Sequence, residues 1–319
     1  MDRPPQLLLL IGMAAPFVAD LQARWPIAML PGAAAVEQLA PRQSHAVRVV
    51  ITNGSMGLSA RQMDALPALQ LVCCYGAGYE NVDLAAAQER GIAVTHAPGV
   101  NNATVADHTM ALMLASARAL PLLDRAVKTG QWLSHRGARP ALHGKRLGIV
   151  GMGNIGKLIA RRAAGFDMEI AYHARHARCE LAYRYEETVL ELARSSDYLV
   201  LACPGGAGTR HLVNADVLEA LGPQGFLVNI ARGSVVDTAA LLDALKRKRI
   251  AGAALDVIED EPVIPSEAAL IDTLILTPHI SGRSPEAQQA QHEALLYNLK
   301  ACFDGQPLRH ALAAATPIS

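Results

Sequence analysis

A glycine-rich segment is the clearest chemical signal in this chain. Its residues, in order, are Gly151, Met152, Gly153, Asn154, Ile155 and Gly156. In such a GxGxxG pattern the first glycine permits a tight turn, the second lets a pyrophosphate approach the backbone, and the third lets the next helix pack against the preceding strand. The N-terminus of that helix offers free N–H groups to phosphates. Because an apolar strand precedes the motif and a helical segment follows it, the sequence predicts a dinucleotide site rather than a structural turn.

The next strand predicted after the glycine-rich motif is Glu169–Tyr172, and the residues that follow it indicate which dinucleotide binds. An acidic residue about 20 positions after the motif binds the ribose 2′-hydroxyl of NAD. That position falls near Ala174, and no carboxylate is present there. Arg175 is suited to bidentate binding of a 2′-phosphate, with help from His176 or Arg178, and the alternative is a solvated basic turn. We therefore expect NADP(H) to be favoured over NAD(H).

Three segments that follow late predicted strands hold side chains suited to catalysis. They read NIARG at 229–233, LDVIEDEP at 255–262 and TPHISG at 277–282. In an open α/β sheet, ligands bind outside the carboxyl ends of the strands. The sequence therefore predicts that these segments line a ligand site.

Taken together, GMGNIG, NIARGSVVD, LDVIEDEP and TPHISG resemble the D-isomer-specific 2-hydroxyacid dehydrogenase family, and in particular its glyoxylate and hydroxypyruvate reductases. The resemblance covers essentially the whole chain. It implies a Rossmann cofactor domain inserted in a flavodoxin-like substrate domain, with a hinged cleft between them. It also implies NADPH-dependent reduction of a small 2-oxo acid (glyoxylate, hydroxypyruvate or an aryl pyruvate) to the D-2-hydroxy acid, without a metal.

The resemblance assigns the reaction to three residues. Arg232 would bind the substrate carboxylate and polarise the carbonyl, because a guanidinium offers a planar fork of donors. His279 would be the general acid in reduction and the base in oxidation, since imidazole titrates near neutral pH. Glu261, which immediately precedes a proline, would orient His279 and stabilise its protonated form. Its neighbours Glu259 and Asp260 make this assignment ambiguous.

Further roles carry over from the family pattern. Backbone N–H groups at Ala77 and Gly78 would bind the substrate carboxylate, and a tight turn without a ligand is the alternative. Besides the glycine-rich motif, the expected cofactor contacts are Thr104, Ala174, Arg175, His176, Pro204, Thr209, Ile230, Asp256 and Gly282. Asp256 would bind the nicotinamide amide. Asp83 is expected to cap a helix, and His108 to be a surface or capping residue.

Two other functions share the fold and much of the motif set. One is a nicotinamide-sensing corepressor that binds protein partners, and the other is a dehydrogenase of another anion such as phosphite. The chain ends soon after the last predicted helix, without a long extension, which disfavours the corepressor. Turnover of NADPH that depends on a 2-oxo acid would distinguish an enzyme from a sensor.

The pattern of elements predicts the α/β class, with parallel sheets covered on both faces, because short apolar runs alternate with helical segments. The predicted strands are Leu7–Ile11, Val47–Thr52, Leu71–Cys74, Ala93–Thr95, Arg146–Val150, Glu169–Tyr172, Tyr198–Ala202, Leu227–Ile230, Gly252–Leu255 and Leu274–Thr277. The predicted helices are Pro16–Arg24, Ala60–Ala65, Asn102–Gly130, Lys157–Ala164 and Glu286–Phe303. The third is expected to be one long helix with Thr104 as its N-cap.

Two domains follow from this pattern and from 319 residues of chain. Residues 1–99 plus 284–319 are expected to form the substrate domain, to which the terminal helix returns. Residues 100–283 are expected to form the dinucleotide-binding domain. The family implies a homodimer, with the long helix at 102–130 as the interface candidate.

Composition narrows the class of partner. Lys+Arg and Asp+Glu both number 29, and aromatic residues make up only 4%, which disfavours a nucleic-acid binder. No apolar stretch approaches the ~20 residues that span a bilayer, so no membrane partner is expected. The five cysteines are odd in number and lack CxxC spacing, which fits a reducing cytoplasm. We expect a small-molecule substrate.

Overall fold

A computed structural model describes residues 4–313, and contacts divide the chain into two compact units. The first comprises the residues up to Asn101 together with those from Ser284, and the second is Asn102–Arg283. The first boundary thus lies two residues after the expected 99/100, because Asn102 begins a helix that belongs entirely to the second unit.

The first unit begins with five parallel strands separated by short helices. The strands are β1 (Leu7–Leu9), β2 (Ile27–Met29), β3 (Val49–Thr52), β4 (Leu71–Cys74) and β5 (Ala93–Thr95), and the helices are α1 (Ala15–Arg24), α2 (Pro41–Ser44), α3 (Ala60–Asp64) and α4 (Leu84–Glu89). Their order in the sheet is β5-β4-β3-β1-β2. The strand β2 was not predicted, because three residues after a proline carry too little pattern.

Both faces of this sheet are buried, because side chains alternate along each strand. Val49 and Ile51 of β3 belong to one apolar cluster, and Val50 belongs to the cluster on the opposite face. All residues of β3 and β4 are buried, which is why these strands read as continuous apolar runs.

The second unit is a larger parallel sheet with its own helices. Its helices are α5 (Asn102–Arg118), α6 (Leu120–Lys128), α7 (Asn154–Ala164), α8 (Val189–Arg194), α9 (Ala215–Leu221) and α10 (Thr238–Lys246). Its strands are β6 (Arg146–Val150), β7 (Glu169–His173), β8 (Arg184–Tyr185), β9 (Tyr198–Leu201), β10 (Phe226–Asn229), β11 (Gly252–Leu255) and β12 (Leu274–Leu276). The strand order is β12-β11-β10-β9-β6-β7-β8. The order reverses between β6 and β9, and such switch points are where ligands bind in open α/β sheets.

The prediction of one long helix at Asn102–Gly130 was wrong. The helix ends at Arg118, Ala119 adopts a left-handed conformation with φ of 51°, and α6 starts at the next residue. Pro121 explains the break, because proline has no N–H for the helical ladder and its ring clashes with the preceding turn. Thr104 is also not an N-cap, since it lies inside the first turn of α5.

The chain then returns to the first unit. Helix α11 (Pro285–Phe303) buries Leu295 and Leu299 against β1, β3 and β4, and strand β13 (Ala311–Ala313) pairs antiparallel with β5. The return of the terminal helix was predicted, but β13 and the two-residue β8 were not. Among the described residues, no helix combines the length and apolar character needed to cross a bilayer.

Candidate active site

The glycine-rich turn joins β6 to α7 at the switch point of the second sheet. Gly151 has φ of 99°, and a Cβ there would lie 2.7 Å from the carbonyl carbon of Ala202 on the neighbouring strand's loop. A Cβ at Gly156 would collide with the Gly151 carbonyl, whereas one at Gly153 would meet no atom within 4 Å. Close packing thus surrounds the first and third glycines, and open space lies over the second.

The start of α7 offers donors to that open space. The first hydrogen bond of the helix runs from the Lys157 N–H to the Gly153 carbonyl. The N–H groups of residues 154–156 therefore have no partner within the helix. Of the other motif residues, Met152 is buried, Asn154 is exposed, and Ile155 packs against the core. The turn therefore has backbone donors and open space that fit a pyrophosphate, and its contact with a cofactor stays a prediction.

The loop after β7 carries the residues expected at the ribose. Ala174 is half-buried, and Arg175 and His176 are exposed. Within the described residues the Arg175 guanidinium makes no hydrogen bond or ion pair, whereas Arg178 pairs with Glu180 at 3.7 Å. Arg175 is therefore the available cation of this loop.

The other residues expected to contact the cofactor also lie in the second unit. Pro204 and Thr209 belong to the loop after β9, where the Thr209 hydroxyl donates to the Pro204 carbonyl at 2.9 Å. Ile230 follows β10 and is buried, and Gly282 is half-buried beyond β12. These loops leave the carboxyl ends of their strands, on the same edge of the sheet as the glycine-rich turn.

A histidine and a glutamate meet at this edge. His279 Nδ1 lies 2.9 Å from Glu261 Oε2, and both side chains are about one-third exposed (38% and 32%). An ionised carboxylate only accepts, so Nδ1 carries the proton and Nε2 is left to exchange one. The second carboxylate oxygen of Glu261 accepts from the Ile258 N–H at 3.0 Å, which orients the carboxylate.

The neighbouring acids make different contacts. Glu259 Oε1 accepts from His211 Nε2 at 2.7 Å and from Arg210 Nη2 at 2.9 Å. Burial raises the pKa of Glu259, but the hydrogen bond from His211 and the nearby His211 and Arg210 side chains outweigh it and lower the pKa overall. Asp260 is exposed. The carboxylate that reaches His279 is therefore that of Glu261.

Arg232 lies on the loop after β10, directly against the loop that leads to Glu261. A Cβ at Gly233 would collide with the Ile258 backbone, so the two loops are in backbone contact. The buried amide of Asn229 shapes the turn, since it donates to the Arg232 carbonyl and accepts from the Ala231 N–H, both at 3.0 Å. No role for Asn229 was predicted from the sequence, because its bonds to the turn depend on the folded backbone.

The Asp256 carboxylate holds the loop that carries His279, residues 277–281 (the histidine loop). This fully buried carboxylate accepts from the Thr277 hydroxyl at 2.6 Å and from the N–H groups of Ile280 and Ser281, each at 2.9 Å. The His279 N–H donates to the Asp256 backbone carbonyl at 2.9 Å. These bonds hold His279 in its left-handed conformation, with φ of 50°, which a non-glycine residue rarely adopts. The nicotinamide contact expected of Asp256 stays a prediction.

The hydrogen bonds to Asp256 also lower the pKa of its carboxyl group. Burial raises the pKa of Asp256, yet hydrogen bonds from Thr277, Ser281 and Ile280 outweigh it and lower the pKa overall. The Thr277 hydroxyl donates its proton to Asp256, so the hydroxyl oxygen accepts a hydrogen bond from His108 Nε2 at 3.2 Å. His108 is therefore not a surface or capping residue, and that prediction was wrong. Its contact with Thr277 joins residues 169 positions apart, which no local pattern signals.

The remaining candidate residues lie in the first unit. Ala77 and Gly78 are half-buried in the loop after β4, and within the described residues no hydrogen bond uses either N–H. A Cβ at Gly54 would lie 2.7 Å from the Gly78 carbonyl carbon, so this loop packs closely on its neighbour. Asp83 caps α4 through the Ala86 N–H at 2.9 Å, as predicted.

The chain is similar to known proteins in both sequence and fold. The profile of the D-isomer specific 2-hydroxyacid dehydrogenase NAD binding domain matches residues 110–281. Glyoxylate/hydroxypyruvate reductase A of Arabidopsis thaliana is 40% identical over 265 residues, covering 83% of this chain and 85% of that protein. Hydroxyphenylpyruvate reductase of Plectranthus scutellarioides is 39% identical over 267 residues, with the same coverage of 83% and 85%.

A solved structure also matches nearly the whole chain. It is the NADPH-dependent glyoxylate/hydroxypyruvate reductase of Sinorhizobium meliloti, crystallised with NADP and malonate. The TM-score is 0.90 at 36% sequence identity, and the match covers 99% of this chain and 98% of that one.

Proposed function

This chain belongs to the D-isomer-specific 2-hydroxyacid dehydrogenase family, and we propose that it reduces glyoxylate or hydroxypyruvate with NADPH, giving the D-2-hydroxy acid where the carbon is chiral. It is an NAD(P)-dependent oxidoreductase. Aryl pyruvates are the next substrate class, since a hydroxyphenylpyruvate reductase is among its similar relatives. The observation that carries the proposal is the His279–Glu261 hydrogen bond, made beside the Arg232 loop at the carboxyl edge of the sheet.

The residues divide the chemistry as follows. Arg232 binds the substrate carboxylate and polarises the carbonyl oxygen, and the N–H groups of Ala77 and Gly78 donate to the carboxylate. The glycine-rich turn at 151–156 and Arg175 would hold the nicotinamide cofactor, which would supply a hydride for the carbonyl carbon. His279 Nε2 gives a proton to the carbonyl oxygen, so the 2-oxo acid gains one hydride and one proton and becomes a 2-hydroxy acid. Glu261 holds the imidazole ring and stabilises its protonated form.

Preference for NADPH is supported by the loop after β7. No carboxylate stands at Ala174, where an acid would bind the ribose 2′-hydroxyl of NAD and repel a 2′-phosphate. Arg175 is exposed and makes no ion pair within the described part of the chain. The Sinorhizobium meliloti reductase, 36% identical, was crystallised with NADP.

A homodimer is part of the proposal. Four large apolar side chains of α6 and the residues flanking it are exposed, namely Leu120 (51%), Val127 (47%), Trp132 (64%) and Leu133 (75%). Several large apolar side chains exposed within one short segment, residues 120–133, support an interface between two copies of the chain. Light scattering coupled to gel filtration tests this, and a monomer at micromolar concentration would contradict it.

The function is tested by a screen of 2-oxo acids against both reduced nicotinamides. Glyoxylate, hydroxypyruvate, phenylpyruvate and 4-hydroxyphenylpyruvate are each assayed by the loss of absorbance of NADPH or NADH, and the chirality of the products is analysed. We expect the highest kcat/KM with NADPH and glyoxylate or hydroxypyruvate. Absence of turnover with every 2-oxo acid would overturn the proposal, and a higher kcat/KM with NADH would overturn the cofactor assignment.

A further inference from the structure

The loop after β4 has one backbone carbonyl held by a side chain. His96 Nδ1 lies 2.9 Å from the carbonyl oxygen of Ala77, 19 positions earlier in the chain. A carbonyl oxygen only accepts, so Nδ1 carries the proton and donates it. The N–H groups of Ala77 and Gly78, by contrast, have no partner in the described residues.

The direction of one of those N–H groups follows from peptide geometry. The carbonyl of Ala77 and the N–H of Gly78 belong to the same planar peptide unit and point in opposite directions. Because His96 holds the carbonyl on one side, the Gly78 N–H points to the other side. A peptide rotated by half a turn would present a carbonyl oxygen there, which repels an anion.

The ring of His96 is itself held in place. Tyr79 meets it edge-on, with ring centroids 5.2 Å apart and an interplanar angle of 87°, and His310 meets it at 6.3 Å and 88°. The backbone is fixed as well, since the Ala97 N–H donates to the Gly76 carbonyl at 2.7 Å. The donor to Ala77 is therefore preorganised before any ligand binds.

We propose that His96 is a positioning residue that sets the Ala77–Gly78 peptide to bind the substrate carboxylate. The inference rests on the proposed function, in which these N–H groups bind a 2-oxo acid. His96 does not touch the reacting atoms, so its effect falls on binding of the carboxylate rather than on proton or hydride transfer.

The test compares two substitutions that differ in hydrogen bonding. His96→Asn keeps an N–H donor at about the position of Nδ1, and His96→Leu keeps bulk without a donor. Without the donor to the Ala77 carbonyl the peptide is free to rotate, and the Gly78 N–H then binds the carboxylate less well. We therefore expect His96→Leu to raise KM for the 2-oxo acid about 10-fold, with kcat and the KM for NADPH little changed. His96→Asn should stay within about 3-fold of the native KM.

A second readout does not need turnover. Oxalate is an unreactive dicarboxylate, and its dissociation constant is measured by calorimetry on the full-length protein saturated with NADP⁺. The same rise of about 10-fold is expected for His96→Leu and not for His96→Asn. His45→Leu is the matched control, because His45 Nδ1 also bonds a backbone carbonyl, that of Pro41 at 2.6 Å, at an exposed site of the same unit. It should leave both KM and oxalate binding unchanged.

The outcomes separate the inference from the function. Unchanged KM and oxalate affinity in His96→Leu, or equal losses in His96→Leu and His96→Asn, would overturn the positioning role while the enzyme still turns over. A native protein that reduces no 2-oxo acid would instead contradict the proposed function. If His96→Leu does not fold, as judged by circular dichroism, His96→Ala replaces it with the same expected rise in KM.

Discussion

Glu261 Oε2 and His279 Nδ1 lie 2.9 Å apart, although 18 positions separate the two residues in the chain. They are brought together because β11 and β12 are parallel neighbours, with Leu255 paired to Leu276, so that the loops leaving both strands emerge side by side. Arg232 follows β10, the next strand in the sheet. The proposed catalysts thus lie on three adjacent loops of one rigid sheet.

Removal of the imidazole should cost most of the activity. We expect His279→Ala to lower kcat/KM for 2-oxo acid reduction by about 10²–10⁴-fold, the usual contribution of general acid–base catalysis. His143→Ala is a suitable control, since His143 is an exposed imidazole of the same unit that also faces a carboxylate, Asp167 at 3.2 Å. Near-native kcat/KM in His279→Ala, measured by steady-state assay, would show that another group donates the proton.

The two neighbouring glutamates should differ in effect. Glu261→Gln keeps the shape of the side chain but removes the charge that stabilises a protonated His279, and we expect kcat to fall about 10–100-fold. Glu259→Gln should have a clearly smaller effect, because Glu259 contacts Arg210 and His211 instead. Equal losses in the two variants would mean that the Glu261–His279 bond has no special part in the reaction.

The hydroxyl of Thr277 should act on kcat through the histidine loop. Thr277→Val removes the donor to Asp256 and the acceptor for His108, and we expect kcat to fall about 10-fold with KM little changed. Thr277→Ser should restore most of kcat.

The same network can be tested for coupling. The losses in Thr277→Val and His108→Leu should be less than additive in the double variant, because both remove the same hydrogen bond. Strict additivity would argue that His108 acts elsewhere.

Cofactor choice should depend on Arg175. If its guanidinium binds a 2′-phosphate, Arg175→Ala should lower kcat/KM for NADPH about 10–100-fold and leave that for NADH nearly unchanged. Arg184→Ala is the control, since Arg184 is an arginine of the same unit that is paired with Glu186 at 3.0 Å. A loss of equal size with both cofactors would indicate that Arg175 does not bind the phosphate.

Acid stability should depend on the pair of Asp197 and Arg146. Hydrogen bonds from Arg146 to the carboxylate, at 2.7 and 3.2 Å, hold the pKa of Asp197 below its usual 3.8. The pKa of Asp197 is lower in the folded protein than in the unfolded chain. The pair therefore stabilises the fold fully at pH values above the pKa of the unfolded chain, and this stabilisation is lost as the pH falls through the pKa of the folded protein.

Urea unfolding between pH 7 and pH 3 measures this effect with Asp197→Asn. The native protein should be the more stable at pH 7, and the gap in unfolding free energy should narrow below about pH 4. Asp243→Asn, in an exposed pair with Arg247, should change stability little at any pH. A gap for Asp197→Asn that stays constant over the whole range would contradict the assignment.

Much of the fold was predictable because it depends on local pattern. Strands at Leu71–Cys74, Ala93–Thr95, Arg146–Val150 and Gly252–Leu255 have the predicted bounds, since each is a short run that, except for the exposed Arg146, is buried on both faces. The glycine-rich turn was also predictable, because all six residues of its motif are consecutive in the chain. The prediction of a single helix at 102–130 was wrong because one residue, Pro121, interrupts an otherwise helical pattern.

Contacts between distant segments were decided only by the tertiary structure. The sequence placed Glu259, Asp260 and Glu261 side by side, and the direction in which each points depends on how the β11 loop packs against the loops carrying His211 and His279. The bond from His96 to Ala77 depends on β4 and β5 being neighbours in the sheet. The bond from His108 to Thr277 depends on how helix α5 packs against β12. Residue types determined which chemistry was available, whereas strand order and loop packing determined which groups meet, because hydrogen bonds form over about 3 Å and sequence spacing does not specify distance across a sheet.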